Sequence, residues 1–461
     1  MGSKNLKALV VRSRERLLNI AQPERLKELT TYYRALRRTP LRISPNRCTI
    51  DDDPVLNVRR IPGPKMKKDP CYGCLGLCFR RLYEAQDGRR GKFVCDSAMF
   101  YQPWAEKYYG DWNDVPFYAT KLCDDYGLDS NALNLIIGWL QLCKEAGVVS
   151  DSSTGMPLSK IGSQEFIETL VRRVSLREGF GDTLAQGIDK AAAILGPETK
   201  KMLGRAGFFS KPGYNILYGP RLFIITGLLY AMEPRTPIQQ LHHLSGLVNK
   251  WICWAKGIEG APMDSTSVRA IAKRFLGSEA AVDFSTYDGK ALAAKMIQDR
   301  EYAKESLILC DWIFPIMDLE DSENHVGDPT LESKILSAVT GKEVSEEELY
   351  QIGERIFNLQ RAIMVREGHK GRDFDRVPEQ CYSVPLDWYY FSHECLMPGK
   401  EGRVMSRKGA VLDRTEFERM KDEYYHLRGW HVPTGLQTKA MLEELGLMEV
   451  AQDLERRGLL R

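Results

Sequence analysis

The spacing of apolar residues along the chain is helical over most of its length. Leu133, Ile136, Ile137, Leu140 and Cys143 share one face, with Asp129 or Ser130 placed to cap the start and Gly147 to stop the run. Phe166, Ile167, Leu170, Val171 and Val174 form a second stripe, broken by Gly179 and Gly181. Asp182 opens a third, carried by Leu184, Ile188 and Leu195 to Gly196. Ser345 and Glu348 form a capping box ahead of Leu349, Ile352, Ile356, Leu359 and Ile363, predicting a long helix with that stripe on its core face. Thr415 and Glu418 repeat the device before Phe417, Met420, Tyr424 and Leu427, and Thr438 to Gly446 reads as one more short helix.

Strand-like alternation is scarce. Residues 3–12 read as a short strand, and 38–70 are rich in Pro, Arg, Asp and Lys without a period, which predicts irregular chain. Gly204, Gly207, Pro212 and Gly213 cluster where a boundary between two domains is expected. The predicted fold is therefore mainly α, in two helical domains at 15–210 and 211–461, with residues 1–14 standing apart.

Composition narrows the function classes. At 461 residues the chain exceeds one ordinary core. Lys plus Arg number 65 against 62 Asp plus Glu, too even a balance for a nucleic-acid footprint. The greasiest run, Leu222 to Met232, is flanked by Arg221 and by Glu233-Pro234-Arg235 and is too short for a membrane span. Eleven cysteines without a secretory signal predict a reducing, cytoplasmic compartment, in which thiols serve as core residues, catalysts or metal ligands.

Cys71-Tyr-Gly-Cys74-Leu-Gly-Leu-Cys78 carries the strongest chemical signal. Three thiolates within eight residues can hold three corners of a [4Fe–4S] cubane, and Gly73 and Gly76 let backbone N–H groups approach the sulfurs. Zinc is the alternative, although it prefers four ligands in paired spacings. Radical enzymes that use S-adenosylmethionine carry the opposite spacing. A fourth ligand must come from elsewhere. Cys310, in Glu305-Ser-Leu-Ile-Leu-Cys310-Asp311, taken alone reads as a buried structural cysteine, as do Cys48, Cys123, Cys143, Cys253, Cys381 and Cys395. Asp124 and Asp129 flank Gly127; carboxylates can accept ring N–H groups there, and the same residues can simply turn and cap helices.

Taken in order, the cysteine run, Asp124-Asp-Tyr-Gly127-Leu128-Asp129 and the distant Leu309-Cys310 resemble aldehyde:ferredoxin oxidoreductases. Further segments agree: Gly2-Ser-Lys-Asn-Leu-Lys-Ala8, Arg177-Glu-Gly-Phe-Gly-Asp182, Gly353-Glu-Arg-Ile-Phe-Asn358, Arg366-Glu-Gly368 and Tyr424-Tyr425-His-Leu-Arg428-Gly429-Trp430. The resemblance implies two domains like the second and third of that family, and a bis-pterin cofactor of tungsten or molybdenum. It implies that Asp124, Gly127, Leu128 and Asp129 bind one pterin and that Glu305 and Leu309 serve the other. By the same resemblance Cys310 joins Cys71, Cys74 and Cys78 as the fourth cluster ligand. Two departures stand out: Glu305 and Ile308 occupy positions where the family has Asp and Gly. In the family the segment like Gly2–Ala8 follows a base domain, so the resemblance implies that residues 1–14 are a remnant of that N-terminal part and that the rest is lacking here, to be supplied by an upstream segment or by a separate chain.

The resemblance also points to acid/base candidates. Asp96 falls where aldehyde-oxidising relatives carry a Glu beside the metal, and a carboxyl in a dry pocket is suited to proton transfer. Neighbouring Cys95 is a candidate tungsten or molybdenum ligand, since a relative, class II benzoyl-CoA reductase, uses such a thiolate. Gln239 stands where relatives place a His, leaving His242 one turn later as the replacement candidate. The implied reaction oxidises an aldehyde to its acid, with electrons leaving through the cluster to a ferredoxin or another iron–sulfur carrier. Two rivals remain: a benzoyl-CoA reductase-like enzyme for an acyl-CoA or aromatic substrate, and a non-catalytic iron–sulfur protein.

Overall fold

The computed structural model describes residues 20–36, 66–69, 81–93, 100–205 and 218–461, apart from Pro262, Trp312 and Tyr390. The chain divides into two compact units, Ile50–Ile216 and Leu217–Arg461, the latter joined by Met1–Thr49. Both are mainly helical. Residues 1–14 lie outside the described residues. Helix Pro23–Leu36, which the sequence reading counted with 15–210, stands in the second unit. The N–H groups of Ala21 and Gln22 bond the carbonyls of Val339 (3.2 Å) and Ala338 (3.0 Å), and Leu29 packs into the cluster around Phe314 and Leu331.

In the first unit, Met66–Lys68, Arg81–Glu84 and Arg90–Lys92 form a three-stranded antiparallel sheet. The chain between its first two strands carries Cys71, Cys74 and Cys78. Tyr83, Phe93 and Phe117 make an aromatic cluster beside it, and the Tyr83 hydroxyl donates to Asp114 at 2.5 Å. The main core is built by helices Val115–Tyr126, Ser130–Glu145 and Gln164–Leu176. Ser130–Glu145 forms as its pattern predicts: the five named apolar residues are buried, and the Asp129 carboxylate accepts from the N–H of Asn131 and Ala132. The stripe beginning at Asp182 is two helices, Phe180–Ala185 and Ile188–Leu195, parted at Gly187, whose φ of 94° no helix continues through.

In the second unit, helix Lys290–Ser306 packs against Thr226–Met232, Ile238–Ala255, Glu346–Arg366 and Arg414–Leu427. Most of it is buried, Lys290, Gln298, Asp299, Arg300, Glu301 and Lys304 included. Partners make this tolerable: Arg300 reaches Glu332 (3.0 Å) and Glu346 (3.2 Å), and Arg428 bonds Asp299. Helix Glu346–Arg366 has the predicted capping box, but its core face differs from the predicted one. Leu349, Gly353, Phe357, Asn358, Arg361, Ala362 and Val365 are buried, whereas Ile352, Leu359 and Ile363 are about 40% exposed. The reason is backbone contact: a Cβ on Gly353 would lie 1.7 Å from the Asp299 carbonyl oxygen. The glycine row, not the isoleucine row, therefore faces the central helix.

Helix Arg414–Leu427 is capped by Asp413, two residues before the predicted Thr415. After helix Lys439–Glu444 a further helix, Met448–Arg456, closes the chain. Among the described residues no helix is long and apolar enough to cross a membrane; all of Thr226–Met232 is buried within its unit.

Candidate functional site

Two helix ends carry the motifs singled out in the sequence, one in each unit. Helix Val115–Tyr126 ends at Gly127, in the left-handed region at φ 67°. The Gly127 N–H reaches the Asp124 carbonyl (3.4 Å) and the Leu128 N–H the Cys123 carbonyl (2.9 Å), the paired bonds of a Schellman motif. Leu128 packs on the core, and Asp129 caps the next helix. Asp124 and Gly127 are exposed, with Asp124 paired to Lys121 at 2.5 Å. A Cβ placed on Gly127 would meet nothing within 4 Å. The backbone here is open to a flat ligand, and the Asp124 carboxylate stands beside it, so the residues fit a pterin edge.

Helix Lys290–Ser306 ends in the same circuit. The Ile308 N–H bonds the Glu305 carbonyl (2.9 Å) and the Leu309 N–H the Lys304 carbonyl (3.2 Å). Ile308 holds φ 56°, a conformation that β-branched residues avoid, and its side chain is 92% exposed. Leu309 packs inward with Phe314, Leu331 and Ile335. At this end a branched side chain occupies the space that Gly127 leaves open. The fit to a pterin laid on the backbone is correspondingly poorer, and only the exposed Glu305 carboxyl remains available. Partial desolvation, then the Glu301 carboxylate, pushes Glu305 above the usual range.

Cys310 follows directly, and it is exposed. That corrects the buried reading drawn from its sequence context: Cys123, Cys143, Cys253, Cys381 and Cys395 are all buried, and Cys310 is not. An accessible thiol in a turn is what an external metal cluster requires of a ligand. Cys71, Cys74, Cys78, Cys95 and Asp96 lie outside the described residues. Among the described residues no group of three or more His, Cys, Asp or Glu side chains is placed to hold a metal ion.

Around Cys310 the structure assembles a set of charges of which sequence reasoning singles out only His242. His242, half-buried on helix Ile238–Ala255, places Nδ1 2.5 Å from Asp311 Oδ2. The other Asp311 oxygen lies 3.1 Å from Lys304 Nζ, which also meets Glu301 at 2.7 Å, and Glu301 stands in close contact with the buried His243. Burial alone would raise both carboxyls; the bond to His242 together with Lys304 holds Asp311 below its usual range, and His243 with Lys304 does the same for Glu301. The signal was present in the adjacent histidines and in the charged run Asp299-Arg-Glu-Tyr-Ala-Lys304, which has no apolar period to mark it as a core helix.

A family model described as aldehyde ferredoxin oxidoreductase, domains 2 and 3, matches residues 57–447. The chain belongs to the aldehyde ferredoxin oxidoreductase family. Its relatives include the tungsten-containing aldehyde ferredoxin oxidoreductase of Pyrococcus furiosus, 25% identical over 334 residues, covering 72% of this chain and 45% of that protein. The tungsten-containing enzyme of Pyrococcus horikoshii is 24% identical over 482 residues, covering 97% and 68%. The chain thus spans about half the length of the Pyrococcus furiosus enzyme. Among solved structures, the active-site complex BamBC of benzoyl coenzyme A reductase with 1,5-dienoyl-CoA is similar, with a TM-score of 0.62 at 16% identity, over 96% of this chain and 67% of that one. This likeness shows a common fold, the mainly helical one expected for the second and third domains of the family.

Proposed function

We propose that this family member carries a [4Fe–4S] cluster on Cys71, Cys74, Cys78 and Cys310 beside a tungsten or molybdenum pterin cofactor, and that it acts on aldehyde and acid substrates with a ferredoxin as electron partner. The observation that carries this reading is the exposure of Cys310 on a fixed turn while the other described cysteines are buried. The tungsten-containing relatives support the metal. When bound, the cofactor would supply two-electron chemistry at a carbonyl carbon and the cluster would pass the electrons on singly. The chain's own part is to bind, orient and move protons. Asp124 accepts from ring N–H groups over the open Gly127, with Asp129 fixing the turn. Asp96 is proposed to take the substrate proton, and Cys95 to ligate the metal. His242, held by Asp311, can hold a proton where Gln239 cannot.

Metal analysis of anaerobically purified protein tests this: about four irons per chain are expected for one cubane, together with tungsten or molybdenum. Cys310→Ala should lose iron while Cys381→Ala keeps it; equal behaviour sinks the ligand assignment. Iron without either heavier metal would favour an iron–sulfur protein with no catalysis of its own. Reduction of an acyl-CoA or aromatic thioester, with no aldehyde oxidation, would favour the second reading, which Cys95 and Gln239 support.

A further inference from the structure

Lys304 is almost completely buried; its ammonium donates to Asp311 Oδ1 and the Phe314 carbonyl, each at 3.1 Å, and forms an ion pair with the Glu301 carboxylate at 2.7 Å. Burying an ammonium is unfavourable, and an apolar side chain of similar length would fill the same space. What the apolar side chain could not do is bond Asp311 and Phe314, which bracket Cys310 on its C-terminal side. The N-terminal side is held by the Leu309 N–H on the Lys304 carbonyl and by the Leu309 side chain in its apolar cluster. The Cys310 carbonyl is itself taken, accepting from Ile313 (3.1 Å) and Phe314 (2.9 Å). The backbone around Cys310 is thus tied on both sides while its side chain is presented to the outside. Among the described residues the Gly127 end shows no such buried cation: Lys121 there is partly exposed and pairs with Asp124 at 2.5 Å.

We infer that Lys304, acting through Asp311 and the Phe314 carbonyl, is a positioning residue that holds Cys310 in the geometry of a cluster ligand, with Glu301 and His243 fixing Lys304 from behind. The inference rests on the proposed cluster reading. Groups that orient ligands in this way typically contribute 10- to 100-fold to metal affinity. Lys290 is the natural control. It is equally buried in the same helix, but its ammonium meets the carbonyls of Ala280 (2.6 Å), Asp283 (2.7 Å) and Asp288 (3.2 Å), none of them near Cys310 in sequence.

The experiment uses the full chain reconstituted with iron and sulfide under anaerobic conditions. Lys304→Met, Asp311→Asn, Lys290→Met and Cys310→Ala are compared by iron retention against a ferrous chelator and by the EPR spectrum after dithionite, with circular dichroism reporting the fold. Lys304→Met and Asp311→Asn should release iron at about 10- to 100-fold lower chelator concentration and shift the EPR spectrum, whereas Lys290→Met should do neither. The half-buried Asp311 variant decides the matter if Lys304→Met does not fold. The inference is overturned if Cys310→Ala loses iron while Asp311→Asn or folded Lys304→Met behaves as wild type, or if Lys290→Met is as leaky as Lys304→Met. An unchanged Cys310→Ala protein would instead condemn the cluster reading beneath it.

Discussion

The helix ends at Gly127 and Ile308 share one backbone circuit and differ in nearly everything attached to it. Each places a residue at positive φ, returns two N–H groups to the last helical carbonyls and packs the next leucine, partly buried, against a core. Among the described residues, the neighbours of Gly127 include one ion pair, Lys121 with Asp124, and the Asp129 helix cap. At Ile308 they are a buried lysine, two histidines and two carboxylates, with a strained isoleucine on top. The lesson is that the turn itself is generic, and what stands behind it decides whether the end is merely a stop or a rigid mount for the next residue.

The largest expected effect breaks the buried charge cluster. Glu301→Gln strips Lys304 and His243 of their shared partner and should cost about 3–5 kcal/mol in urea unfolding. The same contacts predict acid sensitivity. Because the folded Glu301 carboxyl lies below its usual range, its contribution is fully present above about pH 4 and is lost as pH falls through the folded value. An acid titration followed by circular dichroism should therefore show a loss that shrinks in Glu301→Gln.

Next in size is a pair of opposite-signed changes on the same backbone. Ile308→Gly removes a β-branched residue from the left-handed region and should stabilise by about 1 kcal/mol. Gly127→Ala has room for its methyl but must adopt φ 67°, so it should destabilise by about 1 kcal/mol. Thermal unfolding of both variants checks the signs, and matching signs would mean that the two ends are not equivalent backbones. Asp129→Ala, which removes a cap, should cost about 1 kcal/mol. Asp124→Asn, at an exposed pair, should cost under about 0.5 kcal/mol. A much larger loss there would show Asp124 to be structural and weaken its assignment to a ligand.

What was legible in the sequence was whatever local physics decides. The Ser130–Glu145 helix follows from its stripe and from Asp129, because one face meets a core and one side chain meets its own backbone. The face of Glu346–Arg366 was misread because apolar period assumes an oily partner. Its partner is a polar helix, and contact is set by Gly353 against the Asp299 carbonyl. Asp413 displaced Thr415 as a cap because two good capping residues compete within one turn and packing chooses between them. The Lys304 cluster left only a faint trace, in the adjacent histidines and a charged run, for a different reason: its members come from three stretches of chain, and nothing local to Lys304 says that it is buried. Cys310 could be nominated only through resemblance, since its apolar context argues for burial.

The positive φ at Ile308 bears on how such sites are recognised. A search written in residue letters, with glycine required before the leucine, accepts the segment from Asp124 to Asp129 and rejects the one from Glu305 to Cys310. A search written in dihedral angles and carbonyl partners accepts both, because the left-handed angle closes the circuit whichever residue adopts it. Chains that carry a bulky residue at this corner will be overlooked by the first kind of search and recovered by the second.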